Sequence, residues 1–321
     1  MVPFGPHTTS DEAASALSTS IRDKTSKYPI LITGVSPKSL GADTARALIA
    51  HKPRQLILAS QDEHKIADVI RSFVIPLGTI VLPLHLDLSS LESVRTAAFK
   101  VSKWVTCIDA LILTAGVMAI PTFQTSADGV EMQFAVNHLG HFLFTNLLID
   151  KLLLSQDGAA VATYTSEAHQ RANLNLDDIN YRDGNNYNKW LAYANSKAAN
   201  VLFSVGLAQH FGDRGLRSFA VDPGIIVTTS LARSVSQEEF KTLGWVDDHG
   251  NISSSIKTKT TSEGASSGII AAFNHSLKND KGYVVVDGIL SDKAAASVIL
   301  DRSVAQKLWQ VSEQLVGDTF G

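Results

Sequence analysis

Tyr193 and Lys197 stand four positions apart in the run Tyr193-Ala194-Asn195-Ser196-Lys197. On a helix that spacing puts both side chains on one face, so a phenol and an ammonium can enter the same cleft. A free tyrosine titrates near 10, too high for easy proton exchange at neutral pH, and a neighbouring ammonium favours the phenolate and lowers that value. A tyrosine tuned in this way can protonate a developing alkoxide or take a proton from an alcohol. The same pair on a solvated helix face does nothing, so the chemistry depends on what the rest of the chain brings to it.

Apolar strand-like runs alternate with longer helical patterns from Tyr28 onward. The strand candidates are Pro29–Thr33, Gln55–Ala59, Thr79–His85, Asp109–Thr114, Ala159–Thr165, Arg217–Asp222 and Gly282–Val286. Helical patterns fall at about Leu40–Lys52, Asp62–Phe73, Leu91–Trp104, Gly129–Leu153, Leu191–Phe211 and Glu263–Phe273. This alternation predicts βαβ units and a parallel sheet, and near-continuous apolar strands predict cover on both faces. The expected fold is α/β, a Rossmann-like, doubly wound, seven-stranded and mostly parallel sheet flanked by helices in one domain. Ligands of such sheets bind beyond the carboxyl ends of the strands, at Thr33, Ala59, Asp87, Thr114, Ser166 and Asp222. The first strand runs into Thr33-Gly34-Val35-Ser36-Pro37-Lys38-Ser39-Leu40-Gly41, a glycine-bearing turn into a helix that lets backbone amides approach a pyrophosphate.

Seven segments in order carry a family resemblance. They are the glycine turn, Asp87-Leu88, Leu113-Thr114-Ala115-Gly116, Asn137 to Phe142, Thr165 to His169, Tyr193 to Lys197, and Pro223 to Thr228. Over about residues 28–321 the chain resembles a classical-type short-chain dehydrogenase/reductase, nearest the branch of retinol dehydrogenases and WW-domain oxidoreductases but without a WW domain. The resemblance implies that Tyr193 is the general acid/base and that Lys197 lowers its pKa and holds the nicotinamide ribose. Ser166 corresponds to the hydroxyl that bonds the substrate carbonyl, and Asn137 to the residue that supports a proton-relay water. Gly34, Lys38, Ser39, Leu40, Gly41, Ala115 and Gly116 would line the dinucleotide. Asp87 and Leu88 would meet the adenine, and Pro223, Gly224, Ile226 and Thr228 the nicotinamide. Hydride transfer to a carbonyl makes an alkoxide, which needs donors already in place and a proton. A Ser and a Tyr hydroxyl supply both.

The chain departs from the family pattern in three places. The glycine turn is one residue longer than usual, with Ser39 in the middle glycine's place. Thr114 stands where an asparagine is usual, which reads as a structural substitution. After the second strand, Ser60 replaces the acidic residue that would bind a ribose 2′-hydroxyl and repel a 2′-phosphate. With Lys38 beside the turn, the expected cofactor is NADP, NADPH being favoured over NADH. Asp62 reads as a helix N-terminal charge.

Composition bounds the remaining possibilities. The chain has 321 residues, a formal net charge of −3 and one cysteine, Cys107. It calls for no nucleic acid partner and can form no intrachain disulfide, which fits a reducing compartment. No run is apolar enough to span a bilayer and no signal peptide is evident, so the expected location is cytoplasmic. His138 and His141 read as packing, and no metal site is expected. Residues 1–27 read as an N-terminal extension with a short helix begun by the capping box Thr9/Glu12. Residues 229–261, little periodic and largely polar, read as a substrate lid with Leu231, Phe240, Leu243 and Trp245 on its inner side. The expected partner is a small-to-medium apolar substrate. A homodimer or homotetramer could form through Gly129–Leu153 and Leu191–Phe211. The expected reaction is carbonyl–alcohol interconversion. The rivals are an NAD-dependent alcohol dehydrogenase, a lyase, dehydratase or epimerase on the same scaffold, and a non-catalytic dinucleotide sensor.

Overall fold

A computed structural model describes residues 4–22, 29–247, 249–277, 284–291 and 300–321. Eight strands form one sheet: β1 Pro29–Thr33, β2 Gln55–Ser60, β3 Ile80–His85, β4 Ala110–Leu113, β5 Ala160–Tyr164, β6 Arg217–Asp222, β7 Val284–Val286 and β8 Ile289–Leu290. Their order is β3-β2-β1-β4-β5-β6-β7-β8, and every pair is parallel except β7 with β8. The reversal after β1, where the chain crosses from the β1–β2–β3 half to β4, is the crevice in which a doubly wound sheet takes its ligand. The eighth strand, two residues long, was not expected from the sequence. It turns back through Asp287-Gly288, both at positive φ.

The helices are α1 Ser10–Ala16, α2 Ser18–Arg22, α3 Leu40–Ile49, α4 Glu63–Arg71, α5 Leu91–Trp104, α6 Met132–Phe134, α7 Gly140–Leu147, α8 Ile149–Leu153, α9 Lys189–Phe211, α10 Gln237–Thr242, α11 Thr261–Phe273 and α12 Arg302–Val316. The single helix expected over 129–153 is broken into α6, a π-helical turn at Ala135–Leu139, α7 and α8. Gly282 lies outside the described residues.

Period-two alternation divides the strand side chains between two cores. Leu31, Ile57, Leu111 and Val161 face one, with residues of α5, α7, α9 and α12. Ile30, Ile32, Leu56, Leu58 and Ile112 face the other, with residues of α1, α3, α4 and α11. This explains why the strands read as unbroken apolar runs.

Two packings bear on the site. In the first, α1 forms behind the expected Thr9/Glu12 capping box and buries Ala13 and Ala14. It is pinned to α3 by the two bonds of Arg46 to Asp11 (2.8 Å each) and by Ser10 Oγ donating to Asp43 at 2.7 Å. In the second, α12 lies along α9, with Trp309 against Gly206, Phe142 and Phe203. Every residue of α9 from Ala192 to Ala208 is buried, as is α7 from Gly140 to Asn146. Those stretches have no exposed face for a second copy.

Candidate active site

Helix α9 begins at Asn188, whose side chain accepts the amides of Trp190 and Leu191, both at 3.0 Å. One turn in, Tyr193 and Lys197 share a face, and Lys197 Nζ lies 5.8 Å from the centre of the Tyr193 ring. Nζ donates to the Tyr164 carbonyl at the end of β5 (3.1 Å), which also accepts from Asn200 Nδ2 at 3.0 Å. Thr165 Oγ1 returns a bond to the Lys197 carbonyl at 2.8 Å. Ser166 follows, and its hydroxyl is hydrogen-bonded with the Tyr193 phenol. Two segments predicted from the sequence, the end of β5 and the first turns of α9, thus bring Ser166, Tyr193 and Lys197 together.

The electrostatics differ from expectation. Burial pushes the Tyr193 phenol well above its usual value and Asp222 pushes it further, while the bond with Ser166 pulls the other way. Lys197 was expected to lower that value, but it is itself desolvated and falls to about 8, with Asp222 opposing the fall. The cause is the closed site: Tyr193 is 5% exposed. At neutral pH the phenol therefore keeps its proton. Asp222, buried at the end of β6, accepts from the Gly224 amide at 2.9 Å and is held above the usual carboxylate range by burial. The sequence reading put it at a strand end but gave it no role.

The side chain of Asn137, in the π-helical turn, is fully engaged. Oδ1 accepts from Val117 N at 2.8 Å, while Nδ2 donates to Val117 O (2.9 Å) and to Ser196 Oγ (2.8 Å). It clamps the loop after β4 to α9. Its carbonyl accepts from His141 Nδ1 at 3.1 Å. A carbonyl only accepts, so Nδ1 carries the hydrogen, and burial keeps the ring neutral with a pKa of about 4. His141 Nε2 then accepts from Thr33 Oγ1 at 3.0 Å, linking the relay helix to the end of β1. Packing and a backbone bond were the sequence reading of this histidine.

The glycine turn lies beside this cluster. Gly34 has φ +73°, and a Cβ there would stand 2.7 Å from the Ala115 backbone. Gly41 is equally closed, by the Thr114 hydroxyl at 2.8 Å. That hydroxyl donates to the Thr33 carbonyl at 2.5 Å, stitching β4 to β1 in place of the usual asparagine. Gly116 is flanked by Asn137 Oδ1 and Lys197 Nζ, 3.0 and 3.5 Å from where its Cβ would be. Ser39 does not take the middle glycine's conformation. It is the N-cap of α3, accepting from Ser36 N (3.1 Å) and Ala42 N (3.0 Å), and Lys38 is the residue at φ +64°. The first amides of α3, at Leu40 and Gly41, have no intrahelical acceptor. This bare backbone at a helix N-terminus fits a pyrophosphate.

Ser60 closes β2. Asp62 caps α4, as read from the sequence. Asp87 accepts from Gln61 Nε2 at 2.9 Å and from Ser89, and the Leu88 carbonyl lies against Gly140. Past β6, Gly224 sits at φ +74°, Ile226 packs on Gly264 and Thr228 Oγ1 meets Thr261 Oγ1 at 2.9 Å.

Over Tyr193 lies an apolar cluster of Met118, Ala119, Ala168, Trp190, Leu231, Ala232, Val235 and Phe240. Leu231 and Phe240 face inward as expected. Trp245 stacks on Phe240 from behind, and Leu243 turns to solvent. Val235 and Ala232 were missed, although they continue the apolar spacing from Leu231. An ion pair of Lys189 with Glu239 ties α10 to the start of α9.

A parallel sheet open at its crossover, a tight glycine turn and a Ser–Tyr–Lys cluster define a nucleotide-dependent oxidoreductase. Comparison with known proteins agrees. The family profile described as Enoyl-(Acyl carrier protein) reductase matches residues 34–258. Retinol dehydrogenase 13 of Homo sapiens is 36% identical over 90% of this chain and 84% of its own. The "Probable oxidoreductase" of Streptomyces lividans is 31% identical over 90% and 97%. Among solved structures, an uncharacterized protein from Mycobacterium Paratuberculosis is 32% identical, with TM-score 0.69 over 92% of this chain and 96% of that one. The chain belongs to the short-chain dehydrogenase/reductase family, near its retinol dehydrogenase branch. It is an oxidoreductase of CH–OH groups, using NAD(P) and a small-molecule substrate. Among the described residues, no helix is long and apolar enough to cross a membrane.

Proposed function

We propose that the enzyme is an NADP(H)-dependent reductase that turns a ketone or aldehyde on a small-to-medium apolar molecule into an alcohol, with Tyr193 as general acid. The observation that carries this is a phenol kept protonated by burial, hydrogen-bonded with Ser166 and roofed by Leu231, Val235 and Phe240. The bound cofactor supplies the hydride. The resulting alkoxide is more basic than a phenolate, so Tyr193 gives up its proton while the Ser166 hydroxyl donates to the same oxygen. Lys197, cationic below about pH 8, stabilises the phenolate left behind. The aliphatic and aromatic side chains packed over Tyr193 suit an apolar substrate. The retinol in the names of the relatives is an apolar alcohol too.

NADPH is favoured because Ser60 carries no charge to repel a 2′-phosphate and Lys38 makes no ion pair among the described residues. Arg46, on α3, is already neutralised by Asp11 and Asp43. The segment 229–261 acts as the lid, and Asn137 as the clamp that sets the distance from α9 to the β4 loop. The test is the near-ultraviolet absorbance of NADPH and NADH during turnover of apolar aldehydes and ketones. NADPH should give the higher kcat/KM, and Lys38→Glu should narrow or invert the ratio. Substrate loss without cofactor oxidation, or full turnover by Tyr193→Phe, sinks the proposal.

A further inference from the structure

We infer that the loop between α4 and β3 seats this edge of the molecule on an anionic lipid surface. Val74 is 92% exposed and Leu77 104%, with Ile75 at 42% and Ile80 at 47%. Single exposed aliphatics are ordinary, but three within one short connection, with Ile80 at the start of β3 beside them, form an apolar patch, which marks a contact surface. The exposure is built rather than frayed. Thr79 N donates to the Pro76 carbonyl at 3.1 Å, and Gly78 has φ +90°. That is a tight turn with glycine at its third position and Leu77 at its tip, so the backbone holds Leu77 outward.

Cations surround the apolar tip. Arg71 closes α4 immediately before the loop. Lys52 and Arg54 lie in the exposed α3–β2 connection, and Ile80 N donates to the Arg54 carbonyl at 2.8 Å, which fixes the two connections side by side. Arg71 is paired with Asp68, whereas Lys52 and Arg54 form no ion pair among the described residues. The whole chain has a net charge of −3, so a basic rim here is local. An aliphatic tip beside the exposed Lys52 and Arg54 matches the apolar boundary and negative headgroups of a bilayer. A second copy adding its strand to the β3 edge fits less well, because Pro83 sits mid-strand with no N–H to offer. The loop lies at the amino ends of the strands, so the active site would face away from the membrane, open to water-borne cofactor.

The test is cosedimentation of the full chain with phosphatidylcholine vesicles with and without phosphatidylserine. The wild type should pellet with the anionic vesicles, less so as salt rises. Val74→Ser with Leu77→Ser should weaken binding by about tenfold or more. Lys52→Gln with Arg54→Gln should weaken it roughly 30-fold on anionic vesicles and little on neutral ones. Both variants change exposed side chains, and unchanged thermal midpoints establish that they fold. Wild type that stays in the supernatant, or a Val74→Ser/Leu77→Ser variant that pellets equally well, overturns the inference. So does a wild-type dimer by light scattering that this variant converts to a monomer without any vesicle binding. None of these readouts depends on the carbonyl reductase proposal.

Discussion

Lys197→Met should make the enzyme more stable at neutral pH while removing its activity. The ammonium is 4% exposed, and burial lowers its pKa from 10.5 to about 8. That fall corresponds to roughly 3 kcal/mol of penalty for keeping the charge in the folded state. Methionine fills a similar volume without it. The bond to the Tyr164 carbonyl is lost, at a cost of about 1 kcal/mol, but Asn200 still bonds that oxygen, so no buried acceptor is orphaned. The net gain is about 2 kcal/mol at pH 7, or about 3 °C in Tm for a chain of 321 residues. The sign with pH is fixed. The folded lysine binds protons less readily than the unfolded one, so wild-type stability rises as pH climbs from about 8 towards 10.5. The advantage of the methionine variant should shrink over that window and close at its upper end. Urea unfolding at pH 7 and at pH 9.5 to 10 measures both, with carbonyl turnover expected to fall at least about 100-fold. A variant less stable than wild type at pH 7, or an advantage that does not change with pH, refutes the reasoning.

Glu131 offers the opposite slope: burial raises its pKa to about 7, so folding is penalised as pH rises through that value. Glu131→Gln keeps an acceptor for the Phe134 amide and should be the more stable protein at pH 8, by about 3 kcal/mol at most, but not at pH 4.5. Gly34→Ala forces a positive φ and a 2.7 Å approach to Ala115. It should lower the thermal midpoint and weaken dinucleotide binding measured by fluorescence titration. Trp309→Ala removes a buried ring 4.9 Å from Phe142 and stacked 4.2 Å from His210, and should cost about 3–5 kcal/mol in urea unfolding.

The residues that were legible in sequence are those with an unambiguous local cause. β1 and β6 have the bounds the apolar runs gave them, and α5 runs from Leu91 to Trp104 as its periodicity implied. Ser166, Tyr193 and Lys197 were brought together by family order, and the folded chain does place them in contact. What escaped has long-range causes. The phenol of Tyr193 is governed by burial beneath the cluster of Leu231, Val235 and Phe240, which only the fold brings together. Lys38 adopts a glycine-like conformation because Ser39 is committed to capping α3, a choice that spacing does not disclose. The α12 pattern of Ala305, Leu308, Trp309, Ser312 and Val316 has helical spacing between Asp301 and Gly317, but nothing in the sequence says which helix it covers. The turn at Ala135–Leu139 follows from bonds to residues on other elements, which no local propensity encodes.

The covering of α9 by α12 makes the finished α9 a late event in the making of this protein. Tyr193 and Lys197 are synthesised well before Trp309, so until the distant Arg302–Val316 segment has emerged, α9 keeps an apolar flank open to water. The contact is long in sequence, and its closure entropy is met only when nearly all of the described chain is present. The order of synthesis thus acts as a proofreader. A chain cut short before α12 retains Ser166, Tyr193 and Lys197 and loses the surface that packs α9, which exposes it to aggregation and proteolysis.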